Sequence, residues 1–348
     1  MDSPQYRWLG ALVRTGAHIL LCRGGIMCLM SRVGVSWALA AILLSAGAPA
    51  AEYVLSDGSE LIGEVKTIRA RHEDTFVKLA RSFDLGFEEL RDANPGVDPW
   101  LPGEGTEIVL PTRYVLPRAE RRGIVINIPE LRLYYFPAGD GQKVITHPIS
   151  IGRMDWATPL GRTTVVSKAR DPSWYPPESI RAEHAERNDP LPAVVPPGPD
   201  NPLGRHALRL GLPGYLIHGT NKPSGVGMRV THGCIRMFPE DIEALFEDVD
   251  PGVQVHIVNQ PVKLGWGPGG LYLEAHAPLD EEQQAGEWTA TALTRAFVAA
   301  TEERSADVEW MSAEQIMVAG RGIPEFVSKS VSTVDTSGPS SELPTREE

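Results

Sequence analysis

Hydrophobic residues in the segment 66–111 recur at helical spacing between two short apolar runs. After the helix-start pair Asp74-Thr75, the apolar positions lie at i, i+3, i+4 and i+7: Phe76, Leu79, Ala80 and Phe83. This spacing predicts a helix with one buried face, and a second short helix is predicted over 87–93. Strands predicted near Lys66–Arg71 and at Glu107–Leu110 complete a strand, helix, helix, strand order.

From Gly123 onward the pattern changes to β-branched and aromatic runs that are typical of strands. The predicted strands cover 124–128, 131–136, 144–151, 163–166, 216–217 and 253–258. Because no long amphipathic helical pattern interrupts them, we predict a mainly β fold for the domain over 123–259, a mostly antiparallel β-sandwich or barrel.

Three segments outside these strands have other patterns. Prolines are dense over 172–213 without hydrophobic periodicity, which indicates a functional loop or lid. An extension over 260–328 is predicted to be partly helical, because an amphipathic pattern covers 287–303. The apolar face of that helix would hold Trp288, Ala292, Leu293 and Phe297. Residues 329–348 are rich in Ser, Thr, Pro and Glu, which indicates a disordered tail.

The first fifty residues differ from the rest of the chain. An apolar or small run from Val33 to Ala48 follows a basic residue and ends at Ala48-Pro49-Ala50. A short apolar core with small residues at its exit predicts a secretory signal peptide over 1–50 and export to the periplasm. An uncleaved N-terminal anchor is the alternative, and translation could start at Met27 or Met30.

Composition narrows the class of protein. Of 348 residues, 42% are hydrophobic and 22% are charged, as in ordinary soluble globular proteins. The formal net charge of −12 argues against a nucleic-acid partner, because phosphate binding requires a basic surface.

The cysteine count gains meaning once the signal peptide is set aside. Cys22 and Cys28 precede the expected cleavage site, so Cys234 would be the one cysteine of the mature chain. A lone thiol in an oxidising compartment has no disulfide partner, so it is either an inert buried residue or a thiol with a chemical use.

The residues near Cys234 favour chemical use. A nucleophilic thiol needs a base, donors for an oxyanion and a shape that admits substrate. His218 ends a predicted strand and is the candidate general base. Gly233 lets the backbone come close to a reacting carbonyl group. The N–H groups of Gly233 and Cys234 are candidate donors to the oxyanion. Arg236 could lower the pKa of the thiol or bind a substrate carboxylate.

Other roles remain open for the same residues. His218, His232 and Cys234 are all possible zinc ligands, but His232 and Cys234 are one residue apart and no fourth ligand with usual spacing is evident. We therefore expect no metal and no cofactor. His232 could hold the loop in place rather than act in the chemistry, and His218 could also be structural.

Residues 66–111 resemble a LysM domain, a small carbohydrate-binding module of wall-associated proteins. The residues that carry the resemblance are Asp74-Thr75-Phe76, Leu79-Ala80, Leu90, Ala93-Asn94-Pro95 and Ile108-Val109-Leu110-Pro111. The resemblance implies a βααβ fold and binding to glycan strands. The alternative is a packing module that braces the second domain.

The segment 123–259 resembles the L,D-transpeptidase catalytic domain of the YkuD type. Its signature is a histidine, here His218, and after twelve intervening residues the run Thr231-His232-Gly233-Cys234-Ile235-Arg236. The resemblance implies that Cys234 and His218 are catalytic and that Thr231, His232 and Gly233 support the active site. Substrate contacts are implied for Arg236, Gly219 and Thr220.

The implied reaction is acyl transfer in peptidoglycan. The Cys234 thiolate would attack the carbonyl that joins diaminopimelate to the terminal D-alanine of a stem peptide, and an amine would resolve the thioester. The amine would belong to a second stem peptide, giving a 3→3 crosslink, or to a lysine of an outer-membrane lipoprotein. Two rivals stay open: a hydrolase on the same fold that uses water, and a non-catalytic peptidoglycan-binding protein.

Overall fold

The computed structural model describes residues 51–139, 141–279 and 290–329. The predicted signal peptide, the positions 287–289 of the predicted C-terminal helix with Trp288, and the tail beyond Lys329 lie outside the described residues. Lys329 itself was assigned to the disordered tail, and that assignment is wrong, because it ends a paired strand.

The described chain is mainly β, as predicted, with six α-helices. Its strands are β1 Ala51–Val54, β2 Leu61–Gly63, β3 Lys66–Arg69, β4 Glu107–Leu110, β5 Arg113–Val115, β6 Gly123–Asn127, β7 Arg132–Phe136, β8 Lys143–Pro148, β9 Ile151–Gly152, β10 Gly161–Arg170, β11 His206–Leu210, β12 Leu216–His218, β13 Arg229–Thr231, β14 Ile235–Arg236, β15 Gln254–Val258, β16 Val262–Gly267, β17 Gly270–Ala275 and β18 Glu325–Lys329. The helices are α1 Phe76–Ser82, α2 Phe87–Ala93, α3 Glu178–Glu186, α4 Pro239–Asp248, α5 Ala290–Ala300 and α6 Trp310–Ala319. None of the described helices is long and apolar enough to cross a membrane.

One nine-stranded sheet forms the centre of the fold, in the order β1-β8-β7-β6-β15-β10-β11-β12-β14. Six of its eight neighbouring pairs are antiparallel, as predicted, and the parallel pairs are β6 with β15 and β12 with β14. Alternate side chains of these strands enter one apolar core, in which Ile124, Leu133, Ile217 and Val255 have no exposed surface.

One prediction for this domain needs correction, and one helix was not predicted. The segment 172–213 is not a plain loop, because it contains helix α3 and the core strand β11. Strand β11 pairs with β10 and β12 and contributes Leu208 to the core. No long amphipathic helix was predicted among the strands, but a helix of ten residues, α4, lies between β14 and β15. Helix α4 begins at Pro239. Proline is tolerated at the first helical position because an N–H there would have no partner within the helix. The helix buries Ile242 and Leu245.

The small block over 66–111 has the predicted order of β3, α1, α2 and β4, and β3 pairs with β4. Thr75 accepts a hydrogen bond from the N–H of Lys78, which satisfies a free donor at the start of α1. Phe83 was predicted to lie on the buried face of α1, and that prediction is wrong. It lies past the last helical residue and is 38% exposed, because the chain turns at this position.

The extension after Pro261 contains more β-structure than expected. Strands β16, β17 and β18 form a three-stranded antiparallel sheet, and helices α5 and α6 pack on it. Leu293 and Phe297 of α5 are buried, as the amphipathic pattern predicted, and Ala292 is half-buried. The extension is therefore an α+β unit with its own small core.

Candidate active site

The parallel pair of β12 and β14 brings the predicted catalytic residues together. Ile217 is opposite Ile235 and His218 is opposite Arg236. Both isoleucines are fully buried in the core, and side chains alternate between the two faces of a strand. His218, Arg236 and Cys234, the residue just before β14, therefore lie on the other face of the same pair.

His218 is held in one tautomer. Its Nδ1 donates to the carbonyl oxygen of Gly219 over 2.6 Å, and a carbonyl can only accept, so Nδ1 carries the proton. The lone pair for accepting a proton is then on Nε2. Burial, and next the nearby Arg236 cation, lower the pKa of His218 to about 4, so the ring is neutral at pH 7.

Cys234 is half-buried, and its Sγ donates to the carbonyl oxygen of Gly214 over 3.6 Å. Burial raises the pKa of the thiol above its ordinary value, while the Leu216 amide and Arg236 oppose that rise. Arg236 thus acts in the predicted direction, but burial outweighs it. At neutral pH the face that holds both residues therefore carries a thiol and a neutral imidazole, so thiolate forms only when a base removes the proton.

The backbone before Cys234 is held by close packing and by two threonines. Gly233 has φ +98°, and a Cβ there would lie 2.8 Å from Tyr215, so only glycine fits without strain. The Thr158 hydroxyl donates to the Gly233 carbonyl over 2.9 Å. The Thr231 hydroxyl donates to the Cys234 carbonyl over 2.6 Å, which gives Thr231 a positioning contact.

His232 contacts two residues, Glu183 and Trp156, that no motif in the sequence predicted. Its Nε2 donates to Glu183 of helix α3 over 2.9 Å, and its ring packs edge-on against Trp156 at 5.1 Å. Glu183 also accepts from Arg153 over 2.7 Å and pairs with Arg187. Hydrogen bonds from Arg153 and then His232 lower the pKa of Glu183 to about 2. Nothing in the proline-dense segment signals this contact, because it depends on tertiary packing.

We expect Glu183→Gln to lower kcat/KM by about 10- to 100-fold, because the amide cannot hold His232 and Arg153 together and the loop before Cys234 would shift. Steady-state kinetics with a muropeptide substrate would measure the effect. Glu178→Gln, on the same helix but without a described contact to His232, is the matched control. Equal rates for Glu183→Gln and wild type would show that the contact has no role in catalysis.

The same carboxylate gives a pH dependence with a definite sign. Its folded-state pKa, about 2, is below the ordinary value of 4.5, so its stabilising contacts are fully present above pH 4.5. They are lost as the pH falls from 4.5 toward 2, when the carboxyl is protonated.

Gly219 and Thr220 are buried. The Gly219 carbonyl orients His218, and the Thr220 hydroxyl accepts from the N–H of Lys222 over 2.9 Å. Their role as substrate contacts stays a prediction. Arg236 is half-buried on the His218 face, and its proposed contact with a substrate carboxylate also stays a prediction.

Two groups of titratable side chains in the described ranges have the spacing of metal ligands, and neither includes Cys234. They are Asp84 with His147 and Asp241, and Glu130 with Glu274 and His276. Nε2 of His232, one of the possible zinc ligands considered above, is occupied by the Glu183 contact.

Comparison with known proteins identifies the family. Residues 121–257 match the YkuD family, the L,D-transpeptidase catalytic domain. "Probable L,D-transpeptidase YcfS" of Escherichia coli (strain K12) is 46% identical over 231 residues, which cover 65% of this chain and 72% of that protein. "Probable L,D-transpeptidase YbiS" of the same strain is 43% identical over 247 residues, covering 70% and 80%. "Probable L,D-transpeptidase ErfK/SrfK" is 39% identical, covering 73% and 83%.

Solved structures of related proteins overlap less well. The catalytic domain of the E. faecium L,D-transpeptidase is 22% identical with a TM-score of 0.31, over 40% of this chain and 99% of that one. L,D-transpeptidase 3 from Mycobacterium tuberculosis is 17% identical with a TM-score of 0.30, over 61% and 96%. The assignment therefore rests on the sequence relatives and the matched domain, by which this chain is an enzyme of the L,D-transpeptidase family.

Proposed function

We propose that the chain cleaves the diaminopimelate–D-alanine bond of a peptidoglycan tetrapeptide stem and transfers the acyl group to an amine, with Cys234 as nucleophile and His218 as general base. The observation that carries the proposal is the β12–β14 register, which places His218, Cys234 and Arg236 on one face. The family assignment also supports the proposed substrate class, because L,D-transpeptidases act on peptidoglycan stem peptides.

Acylation begins with proton transfer. When substrate binds and displaces water, the Cys234 thiol would form a hydrogen bond to the lone pair of His218 Nε2. Hydrogen bonds between catalytic groups commonly shorten only in the substrate complex. The thiolate attacks the carbonyl carbon, and its oxygen becomes an oxyanion. Among the loop and turn hydrogen bonds of the described residues, the N–H groups of Gly233 and Cys234 are not donors, which supports their use as oxyanion donors.

Collapse of the oxyanion completes the first half-reaction. The bond to D-alanine breaks, the imidazolium of His218 returns its proton to the leaving amine, and a thioester remains on Cys234. An incoming amine then attacks the thioester and His218 accepts its proton. The thiolate leaves and regains a proton, so the cysteine is restored. No cofactor is needed, because the thioester conserves the energy of the cleaved amide.

The cellular setting is also proposed. Residues 1–50 would direct export, and the enzyme would work in the periplasm, where its substrate lies. The block over 66–111 would be a LysM domain that binds glycan strands, the catalytic domain would cover 123–259 and the extension 260–328. The acceptor would be a second stem peptide or a lysine of an outer-membrane lipoprotein.

Product analysis tests transfer against its closest rival. The purified chain incubated with tetrapeptide muropeptides is expected to release D-alanine and to form a dimer with a 3→3 crosslink, detected by chromatography and mass spectrometry. Adding a peptide with a lysine of lipoprotein sequence would test the second acceptor. Tripeptide and D-alanine alone, with neither dimer nor lysine conjugate, would identify a hydrolase and overturn the proposal.

A further inference from the structure

Three buried titratable side chains meet between the small block and the catalytic domain. Asp84 lies between α1 and α2, His147 is on β8, and Asp241 is in the first turn of α4. These three residues are 5%, 1% and 3% exposed, in that order. One ligand atom from each lies within 4.8 Å of the others. The three residues are distant from one another in the sequence, so they meet only because the small block packs against the catalytic domain.

Each of these side chains has a buried polar atom without a hydrogen-bond partner. The atoms are Asp84 Oδ1, His147 Nδ1 and Asp241 Oδ2. The other oxygen of Asp84 accepts from the N–H of Ala51 over 3.1 Å, so Oδ1 is the one left over. Buried polar groups are nearly always satisfied. Asp84 and Asp241 are in side-chain hydrogen-bond contact with each other, and two carboxyl groups in contact require a proton or a cation between them.

The arginine side chains nearby do not supply that partner, because they are already paired: Arg132 with Glu89 at 2.7 Å, and Arg81 with Glu240 at 2.8 Å. The Ala51 nitrogen, which cleavage after residue 50 would convert to an ammonium, contacts the other oxygen of Asp84. Burial raises the pKa of Asp84 well above its usual value and that of Asp241 to about 7.

We propose that Asp84, His147 and Asp241 bind a divalent cation, zinc, at the junction of the small block and the catalytic domain. His147 Nδ1 and Asp241 Oδ1 are 3.5 Å apart, too far for a good hydrogen bond. Two ligands of one tetrahedral zinc ion lie about 3.3–3.6 Å apart, which follows from its bond lengths to nitrogen and oxygen. Carboxylate and imidazole are both zinc ligands, and two carboxylates balance the charge of the ion.

The second group with metal-ligand spacing provides a contrast. There the Lys263 ammonium lies 2.8 Å from both Glu130 and Glu274, and His276 donates to Glu274. An ammonium already fills the position that a metal would take, so this group is an ion network. The cluster at Asp84 has the same ligand types without such a cation, and that difference singles it out.

A zinc ion in this place would join two units of the fold. Asp84 belongs to the small block, whereas His147 and Asp241 belong to the catalytic domain. The ion would hold the block in one orientation against the sheet. This role is separate from the chemistry at Cys234, so the proposal does not depend on the reaction.

The test is metal content and thermal unfolding of the full chain without a histidine tag. After exposure to equimolar zinc sulfate and dialysis into zinc-free buffer, we expect one zinc per chain by plasma mass spectrometry. Zinc at about 100-fold above its dissociation constant is expected to raise the unfolding midpoint by about 5–10 °C. Magnesium at the same concentration is expected to leave it unchanged.

Variants assign the ligands. Asp84→Asn with His147→Gln is expected to reduce bound zinc at least 10-fold, with circular dichroism to check the fold. Cys234→Ala is the control, and it is expected to retain one zinc, which separates this site from any metal at the active-site cysteine. Wild-type protein with under 0.1 zinc per chain would overturn the proposal, whatever the variants do, and would leave a shared proton as the occupant. Zinc retained by the folded double variant would also overturn it.

Discussion

Replacing Cys234 by alanine is expected to abolish acyl transfer, by at least about 10⁴-fold in kcat, because loss of a nucleophile removes the covalent route. It is the only cysteine in the part of the chain that the structure describes, so no other described thiol can replace it. A carbapenem, whose strained β-lactam carbonyl acylates a thiolate, is expected to add its intact mass to the wild-type chain and none to the variant. Intact-mass spectrometry would measure both.

The control for this variant is its stability. The Cys234 thiol is half-buried, and its hydrogen bonds with Gly214 and the Leu216 amide are weak bonds to sulfur, so the thermal midpoint of Cys234→Ala should stay close to that of the wild type. A folded variant that still forms the adduct would place the nucleophile elsewhere. A wild-type chain that forms neither adduct nor products would favour the non-catalytic binding protein.

The second large effect is on folding. Lys263→Met is expected to lower the free energy of unfolding by about 3–5 kcal/mol, because it removes one partner from a buried ion network. The Lys263 ammonium lies between Glu130 and Glu274 and donates to the Val115 carbonyl over 2.7 Å. Burial by itself would raise the pKa of Glu274, but Lys263 and His276 lower it below its ordinary value. Without the lysine, two carboxylates are left buried and close together.

Thermal or urea unfolding would measure the loss, with a midpoint drop of about 6–20 °C expected. The matched control is Lys66→Met, which breaks the exposed pair with Glu64 and should change stability by under about 1 kcal/mol. Adding Glu130→Gln and Glu274→Gln to Lys263→Met is expected to recover part of the loss, because neutral amides do not repel. Equal midpoints for Lys263→Met and Lys66→Met would contradict this account.

Local patterns in the sequence sufficed for the small block. The spacing of apolar residues after Thr75 predicted α1, and β4 was predicted with its observed bounds, Glu107–Leu110. Helix α1 depends on contacts between near neighbours, a helix cap and a repeating buried face. Strand β4 was predicted from its own apolar run, although its partner β3 is distant in the sequence. The mainly β character of the catalytic domain was predicted for the same reason, since β-branched and aromatic runs mark its core strands.

Other elements gave too little local signal. Strand β11 lies within a proline-dense segment, and its assignment as a strand depends on β10 and β12 on either side. The sheet of the C-terminal extension was missed because β16 and β17 contain several glycines, which weaken a strand pattern. Glu183 looks like any exposed acidic residue of a helix until α3 packs against His232.

The sequence by itself determined the family motif, from His218 to the run that ends at Arg236, and with it the chemical types at the candidate active site. Only the tertiary structure decided where these side chains lie relative to one another and in which direction their pKa values shift. The β12–β14 register puts them on one face, and burial shifts the pKa of Cys234 up and that of His218 down. The reason is physical: residue identity is local, whereas desolvation, register and the meeting of Asp84 with His147 and Asp241 arise from chain segments far apart in sequence.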